Sequence, residues 1–301
     1  MMRALLLAAR PKTLPAAVAP VVVGSALAWQ LAGEFSWLLA WCTLLSTVAI
    51  QVATNYFNDA VDARKGADTA ARLGPLRVTA AGLLTPAFML KAGLAALMVA
   101  VLWSLPMVLA RGWPVVGIGL VSLFFTYGYT GGPVPLAYRG LGELFVLLFF
   151  GLVAVAGTVF VQTGQWRAEA LLLGLQVGML STVLIAINNL RDHVEDAGSN
   201  KRTLAVRLGI RFARVEIALF CLGPYLVGWL WSRFGVPQNP VPMAAVMLPG
   251  LWVAWRVWVT PPGRAYNQFL AASALHLLMW SAWMVTVFLR HPFSAGTPAA
   301  G

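Results

Sequence analysis

Residues 37–68 read WLLAWCTLLSTVAIQVATNYFNDAVDARKGAD. The first part of this stretch, 37–57, is a mostly apolar run of about 20 residues, the length with which an α-helix crosses the hydrocarbon core of a bilayer. The second part, 55–68, contains three aspartates, two asparagines and two cations. The apolar run therefore predicts a membrane-spanning helix, and the charges predict a polar site at its end.

The composition of the whole chain is typical of a membrane protein. Of its 301 residues, 60% are hydrophobic and 10% are charged, whereas soluble proteins have about 25% charged residues. The apolar residues form nine runs, at 14–32, 37–57, 87–110, 113–130, 141–162, 169–190, 213–233, 241–259 and 268–289. We expect an all-α integral membrane protein, a bundle of nine transmembrane helices that forms a single membrane domain over 1–301.

The distribution of cations predicts the orientation in the membrane. If the N-terminus is cytoplasmic, 17 of the 21 lysines and arginines fall in cytoplasmic segments, as the positive-inside rule requires. The exceptions are Arg111, Arg167, Arg233 and Arg290. This topology explains the net charge of +11 better than nucleic-acid binding does. We expect a multi-pass protein of the bacterial cytoplasmic (inner) membrane whose active site faces the cytoplasm.

A second acidic stretch follows another apolar run, and it reads NNLRDHVEDAGSNKRTLAVRLG over 188–209. The two stretches together hold six of the ten acidic residues. A shift of 130 positions places Asn58 on Asn188 and Asp62 on Asp192. The shift predicts two pseudo-repeated halves, about 10–130 and 131–260, followed by the ninth helix at 268–289.

The residue types in these two stretches indicate a particular chemistry. Clustered carboxylates repel one another, and hard divalent cations such as Mg²⁺, which bind oxygen ligands and bridge to phosphate, relieve that repulsion. Neighbouring cations can bind further phosphate charge. The pattern predicts a diphosphate held by magnesium at the cytoplasmic mouth of the bundle. Ordinary solvated loops would explain the cations but not the concentrated acids.

Four stretches carry a family resemblance: ARPKTLPAAVAPVVVGSA (9–26), NYFNDAVDARKGADT (55–69), GPLRVTAAG (74–82) and YTGGPVPLAYRGLGELFVLLFFG (129–151). With them, the chain resembles the UbiA-type superfamily of intramembrane prenyltransferases over nearly its whole length. Within that superfamily it is most similar to the 1,4-dihydroxy-2-naphthoate polyprenyltransferases of menaquinone synthesis. The resemblance implies a nine-helix bundle with aspartate-rich motifs at the ends of the second and sixth helices.

The resemblance also implies a reaction and roles for individual residues. A polyprenyl group passes from an allylic polyprenyl diphosphate to the aromatic acid 1,4-dihydroxy-2-naphthoate, with loss of CO₂ and diphosphate, which gives demethylmenaquinol. The implied metal is Mg²⁺, with Mn²⁺ as the alternative. The implied metal ligands are Asp59, Asp62, Asp192 and Asp196, and Asp68 either binds metal or orders its loop. The implied diphosphate-binding residues are Asn58, Lys65, Arg72, Asn188, Lys201 and Arg202.

Two residues of the third motif are candidates for binding the acceptor. Arg139 would receive the acceptor's carboxylate, and Glu143 would position the acceptor or accept a proton. A structural pair between them is the alternative, because residues four apart share a helix face. By contrast, Gln51 and Gln176 lie in the middle of apolar runs, where we expect hydrogen bonds between helices.

Two other functions compete with this interpretation. A prenyltransferase of the same superfamily could act on 4-hydroxybenzoate, homogentisate or a porphyrin ring. A transporter could use the acids as a cation site, although no acid falls in the middle of a predicted span, where a carrier would need one.

Overall fold

The computed structural model describes residues 1–66, 73–133, 135–236 and 240–290, and the regular structure in these ranges is entirely helical. Asp68 and Arg72 lie outside the described residues. The α-helices are α1 (Met2–Ala8), α2 (Pro15–Ala32), α3 (Trp37–Arg64), α4 (Pro86–Arg111), α5 (Trp113–Gly128), α6 (Gly142–Val146), α7 (Ala154–Thr163), α8 (Ala168–Arg191), α9 (His193–Gly198), α10 (Leu204–Leu226), α11 (Pro240–Val259) and α12 (Tyr266–Arg290).

Within the described ranges, eight helical segments are long and apolar enough to span a membrane, which confirms a multi-pass architecture. They are α2, α3, α4, the segment Gly142–Thr163, α8, the segment Leu204–Phe234, α11 and α12. The remaining predicted span, 113–130, corresponds to α5, which has 16 residues. At 1.5 Å per residue it is about 24 Å long, less than the hydrocarbon thickness of about 30 Å. The count of nine spans therefore stays a prediction.

The acidic motif of the first half is helical, although hydropathy ends the predicted span at residue 57. Ser36 caps the N-terminus of α3, because its hydroxyl accepts a hydrogen bond from the amide of Leu39. The helix continues to Arg64. Asp59 and Asp62 thus lie on the last turns of α3 and not in a loop. The helix continues because its polar side chains there bond to other segments of the chain.

The second motif is divided between two helices. Helix α8 ends at Arg191, and Asp192 leaves the helical conformation with φ −95° and ψ 8° before α9 begins. Downstream, the helix expected at 213–233 begins at Leu204 instead, with a break at Gly209 (φ 85°, ψ 173°).

Helix α8 occupies the centre of the bundle. The most apolar window of α8 is 78% buried, whereas that of α4 is 17% buried. The largest buried cluster joins α8 to α2, α7, α10, α11 and α12. The motif at the carboxyl end of α8 is therefore held in the middle of the bundle.

A π-helix, Leu147–Val153, joins α6 to α7 and packs against α8 through glycines. A Cβ atom on Gly151 would lie 2.4 Å from the carbonyl oxygen of Gly174 and 2.6 Å from the Cα of Gly178. Because both atoms belong to the backbone, no side-chain rotation could relieve the clash. Glycine at these positions allows the two backbones to approach closely.

Replacing Gly151 by alanine should therefore separate the π-helix from α8. We expect Gly151→Ala to lower the free energy of unfolding by about 1–3 kcal/mol, the usual cost of overpacking, measured as thermal unfolding in detergent. Gly117→Ala in α5 is the matched control, because a Cβ there meets no atom within 4 Å. An unchanged unfolding temperature for Gly151→Ala would contradict the described packing.

Candidate active site

Asp59 binds the segment that follows α3 through its carboxylate. It is 1% exposed, and its carboxylate accepts hydrogen bonds from the backbone amides of Val78 at 3.3 Å and Thr79 at 3.0 Å. Hydrogen bonds from amides stabilise the ionised carboxylate. The carboxylate therefore connects α3 to the segment 74–82, one of the four motif stretches.

Asp62, almost one turn further along α3, contacts two other segments. Its carboxylate accepts a hydrogen bond from the Tyr138 hydroxyl at 2.9 Å and lies 3.5 Å from the guanidinium of Arg77. The backbone carbonyl of Tyr138 accepts a hydrogen bond from the amide of Arg202 at 3.1 Å. Tyr138 thus links the acidic motif of α3 to the basic segment after α9.

Asp192 is held by its neighbour in sequence. The guanidinium of Arg191 donates two hydrogen bonds of 2.7 Å to the two carboxylate oxygens. The same guanidinium donates to the side chain of Asn267 on α12 at 2.7 Å, and Asn267 donates to the carbonyl of Leu73 at 2.9 Å. Arg191 is 2% exposed, so this chain of contacts is enclosed by the bundle.

Asp196 on α9 has one oxygen paired and one oxygen available. Its Oδ1 lies 3.2 Å from the ammonium of Lys201, while its Oδ2 is buried with no hydrogen-bond partner among the described residues. Burial raises the pKa of Asp196 to about 6, although Lys201 opposes that shift. A buried oxygen of this kind favours a ligand that brings positive charge.

The electrostatics of Lys201 show that the two acidic motifs face a common region. Burial lowers the pKa of the Lys201 ammonium. The carboxylates of Asp196, Asp62 and Asp192 act in the opposite direction and leave that pKa above its ordinary value. Asp62 belongs to α3 whereas the other two follow α8, so acids from both motifs act on one lysine, although only Asp196 pairs with it directly.

The donor atoms at this mouth fit a hard divalent cation, because carboxylate oxygens are the ligands that Mg²⁺ and Mn²⁺ prefer. The Oδ2 of Asp196, which has no partner among the described residues, could act as one such ligand without breaking a bond. The protein's own cations pair with the carboxylates of Asp62, Asp192 and Asp196. In the described ranges, no three His, Cys, Asp or Glu side chains are already grouped as a metal cluster.

The other predicted diphosphate-binding residues differ in their contacts. The Thr130 hydroxyl donates to the side-chain oxygen of Asn58, and the Lys65 ammonium donates to the Thr130 carbonyl at 2.8 Å. Lys65 also lies 3.9 Å from the centre of the Tyr138 ring. Asn188 is half-buried and bonds through its side chain to no other described residue, and Arg202 is exposed.

The two predicted acceptor-binding residues lie in different environments. Glu143 is 3% exposed, and its Oε1 accepts a hydrogen bond from Asn189 at 2.7 Å while its Oε2 has no partner in the described parts of the chain. Arg139 is exposed, and its guanidinium donates to the carbonyl of Pro133 at 3.5 Å. Among the described ion pairs, none joins Arg139 to Glu143, so the structural pair is not formed.

Sequence reasoning missed four residues of this region: Thr130, Tyr138, Asn189 and Arg191. Thr130 and Tyr138 lie within the motif stretch 129–151, and Asn189 and Arg191 are immediate neighbours of predicted residues. Their position beside the predicted site residues could have identified them as candidates. Their roles depend on contacts between distant segments, which the spacing of residues does not encode.

An apolar cavity of about 170 Å³ lies between α3, α5 and the π-helix. On α3 it is lined by residues that precede the acids, so it lies deeper in the bundle than they do. Many lining residues carry hydroxyls, but these are turned away: Thr43, Thr54 and Thr126 each donate to the carbonyl four residues earlier. The threonines thus present methyl groups to the cavity. Phe145 and Phe149 stack along another wall, with ring centres 4.3 Å apart.

Residues 17–282 match the UbiA prenyltransferase family. The chain belongs to this family. Its relatives include proteins named 1,4-dihydroxy-2-naphthoate octaprenyltransferase. The one from Haemophilus influenzae is 39% identical over 69% of this chain and 70% of its own. The one from Mycobacterium leprae is 36% identical over 79% of this chain and 82% of its own.

Solved structures of UbiA homologs share the fold of this family member. The apo structure of a homolog from Aeropyrum pernix K1 has a TM-score of 0.64 at 16% identity, and covers 90% of this chain and 98% of its own. A homolog from Archaeoglobus fulgidus bound to DMAPP and Mg²⁺ has a TM-score of 0.62 at 13% identity, and covers 94% of this chain and 99% of its own.

The contacts of Arg191 generate a prediction about stability. Arg191→Met removes two charge-assisted hydrogen bonds to Asp192 and the bond to Asn267, so we expect the free energy of unfolding to fall by about 2–3 kcal/mol. Arg202→Met is the matched control, because that arginine is exposed and should leave the unfolding temperature unchanged. Equal unfolding temperatures for the two variants, measured in detergent, would show that Arg191 does not hold the motif together.

Proposed function

We propose that this UbiA-family prenyltransferase transfers a polyprenyl group from an allylic polyprenyl diphosphate to 1,4-dihydroxy-2-naphthoate, with release of CO₂ and diphosphate. The product is demethylmenaquinol, an intermediate of menaquinone biosynthesis. The observation that carries the proposal is the arrangement of the acids: Tyr138 joins Asp62 of α3 to the segment in which Lys201 pairs with Asp196, and an apolar cavity lies beside α3. The names of the relatives support the identity of the acceptor.

The mouth of the bundle is suited to the diphosphate. Asp59, Asp62, Asp192 and Asp196 are the proposed ligands of Mg²⁺, or of Mn²⁺ in its place, and the free Oδ2 of Asp196 supports this assignment. The bound metal would neutralise the negative charge that develops on the departing diphosphate. The Archaeoglobus fulgidus homolog, which is bound to DMAPP and Mg²⁺, supports the metal requirement.

The cations and amides of the site would bind the remaining phosphate oxygens. Lys201 is largely buried, and Lys65 is fixed by Thr130, so both ammonium groups are already placed before substrate binds. Preorganised charge of this kind stabilises a transition state at little cost in reorganisation. Arg202 is exposed and would close over the outer side of the diphosphate. Asn58 and Asn188 would orient the metal ligands.

The reaction itself needs an electron-rich ring next to the allylic carbon. The carbon–oxygen bond of the allylic diphosphate breaks and its electron pair leaves with the diphosphate. A ring carbon supplies the pair for the new carbon–carbon bond, and the ring carboxylate leaves as CO₂. Arg139 is proposed to receive that carboxylate, and Glu143 to hold or accept a proton through its free Oε2.

The apolar cavity and the membrane explain why this chemistry takes place in a helical bundle. Much of α4 faces outward with exposed leucine and valine side chains, as a lipid-facing helix does. A long prenyl chain can extend between helices while its diphosphate stays at the acids. We propose a cytoplasmic-facing site in the bacterial inner membrane, formed where two pseudo-repeated halves meet.

The function is tested with purified protein in detergent that receives polyprenyl diphosphate, Mg²⁺ and either 1,4-dihydroxy-2-naphthoate or 4-hydroxybenzoate. We expect prenylated naphthoquinol and CO₂ with the naphthoate, and no product when EDTA is present. Asp192→Asn should lower kcat on the order of 100-fold or more, since charge stabilisation of the leaving group is lost.

Glu34→Gln is the control for that assay, because Glu34 is exposed at the opposite end of the bundle from the acidic motifs. Its kcat should equal that of the wild type. Product formed only with 4-hydroxybenzoate would retain the mechanism and change the acceptor. Folded protein that forms no product with either acceptor would refute the proposed function.

A further inference from the structure

Gln51 has an unusual place among the buried polar side chains. It lies on α3 and lines the apolar cavity, and it is 8% exposed. Its Nε2 makes one long hydrogen bond, 3.4 Å to the Thr13 hydroxyl oxygen. Its Oε1 is buried and has no partner in the described ranges. A buried carbonyl oxygen without a donor is unfavourable, which suggests that a ligand supplies the donor.

The surrounding hydrogen bonds fix the orientation of the Gln51 amide. The single proton of the Thr13 hydroxyl is donated to the carbonyl of Arg10 at 2.9 Å. The Thr13 oxygen can then only accept, and it accepts from Asn55 Nδ2 at 3.3 Å as well as from Gln51. The nitrogen of the Gln51 amide must therefore face Thr13, which leaves Oε1 as the free atom.

Gln176 shows how a buried glutamine is satisfied when its role is structural. Its Nε2 donates to the carbonyl of Pro224 at 2.7 Å, and its Oε1 accepts from the indole of Trp231 at 2.8 Å. The sequence predicted the same interhelical role for both glutamines. The prediction is confirmed for Gln176. Among the residues that the structure describes, none donates a hydrogen bond to the carbonyl oxygen of Gln51.

Gln51 lies on the same helix as the first acidic motif, on the side of the apolar cavity. It is seven residues before Asn58 on the same helix, so the two share a face and are separated by about 10 Å along the axis. Thr54, the cavity residue of α3 nearest to the acids, lies between them. A molecule that reacts at the diphosphate and extends into the cavity would pass Gln51.

The chemistry of a lone carbonyl identifies which substrate it would bind. A carbonyl oxygen accepts hydrogen bonds and cannot donate them. The hydrocarbon of a prenyl chain has no N–H or O–H to offer, whereas a dihydroxy aromatic acid does. In 1,4-dihydroxy-2-naphthoate the 1-hydroxyl lies beside the carboxylate and bonds to it internally. The 4-hydroxyl is left as the free donor.

We propose that Gln51 determines acceptor specificity, its Oε1 accepting a hydrogen bond from the free ring hydroxyl of the aromatic substrate. The inference rests on the proposed function and names a contact of the same site. Phe125, Phe145 and Phe149 line the cavity with ring centres 4.3–5.4 Å apart and offer faces against which a naphthalene ring can pack.

The test compares Gln51→Met with Gln176→Met, two substitutions that remove an amide and retain a chain of similar length. We expect Gln51→Met to raise the KM for the naphthoate about tenfold, the effect of one lost hydrogen bond, while the KM for polyprenyl diphosphate stays at the wild-type value. Gln176→Met should leave both KM values unchanged and lower the unfolding temperature.

A second measurement uses 1-hydroxy-2-naphthoate, which lacks only the 4-hydroxyl, in equilibrium binding. The wild type should bind the dihydroxy compound about tenfold more tightly, and Gln51→Met should bind both compounds equally. Unchanged acceptor KM and unchanged preference in a folded Gln51→Met variant would overturn the inference while the proposed function stands. Wild-type protein that neither prenylates nor binds the naphthoate would overturn both.

Discussion

A carboxylate held at the end of a membrane helix is stable only if positive charges or hydrogen-bond donors accompany it. In this protein that requirement determines the contacts at the end of the bundle where the two acidic motifs lie. Backbone amides bind Asp59, Tyr138 and Arg77 accompany Asp62, and Arg191 binds Asp192. These partners come from three segments: 74–82, the stretch 129–151 and the end of α8. The acids therefore both create the site and assemble the segments that surround it.

The same arrangement separates the polar and apolar parts of the bundle. At one end, Lys201 pairs with Asp196, and Tyr138 joins Asp62 of α3 to the same segment. Below, the threonines of the cavity direct their hydroxyls to their own helices and leave an apolar space. The π-helix packs on α8 through Gly151 and lies on the wall of that space. A substrate with a charged head and a hydrocarbon tail matches this division.

Hydropathy located the spans well because the length of an apolar run is set by the bilayer: α4 covers Pro86–Arg111, against a predicted 87–110. It was also right for α8, Ala168–Arg191 against a predicted 169–190. It failed at the end of α3, predicted at residue 57 and observed at Arg64, where polar side chains contact distant segments. The acids could be predicted from their unusual density. The bonds of Asn189 and Tyr138, and the absence of a donor for the Gln51 carbonyl among the described residues, could not be predicted, because they depend on which distant segments the fold brings together.

The central claim is that acids from both helices serve one metal-bound diphosphate. A structure determined with Mn²⁺ and a non-hydrolysable prenyl thiolodiphosphate tests it most directly, since the anomalous signal of manganese locates the metal. The account predicts manganese bridging one diphosphate, with ligands from Asp62 on α3 and from Asp192 or Asp196 after α8. Manganese bound by the residues of one helix alone, or a diphosphate bound away from Lys201, would contradict it.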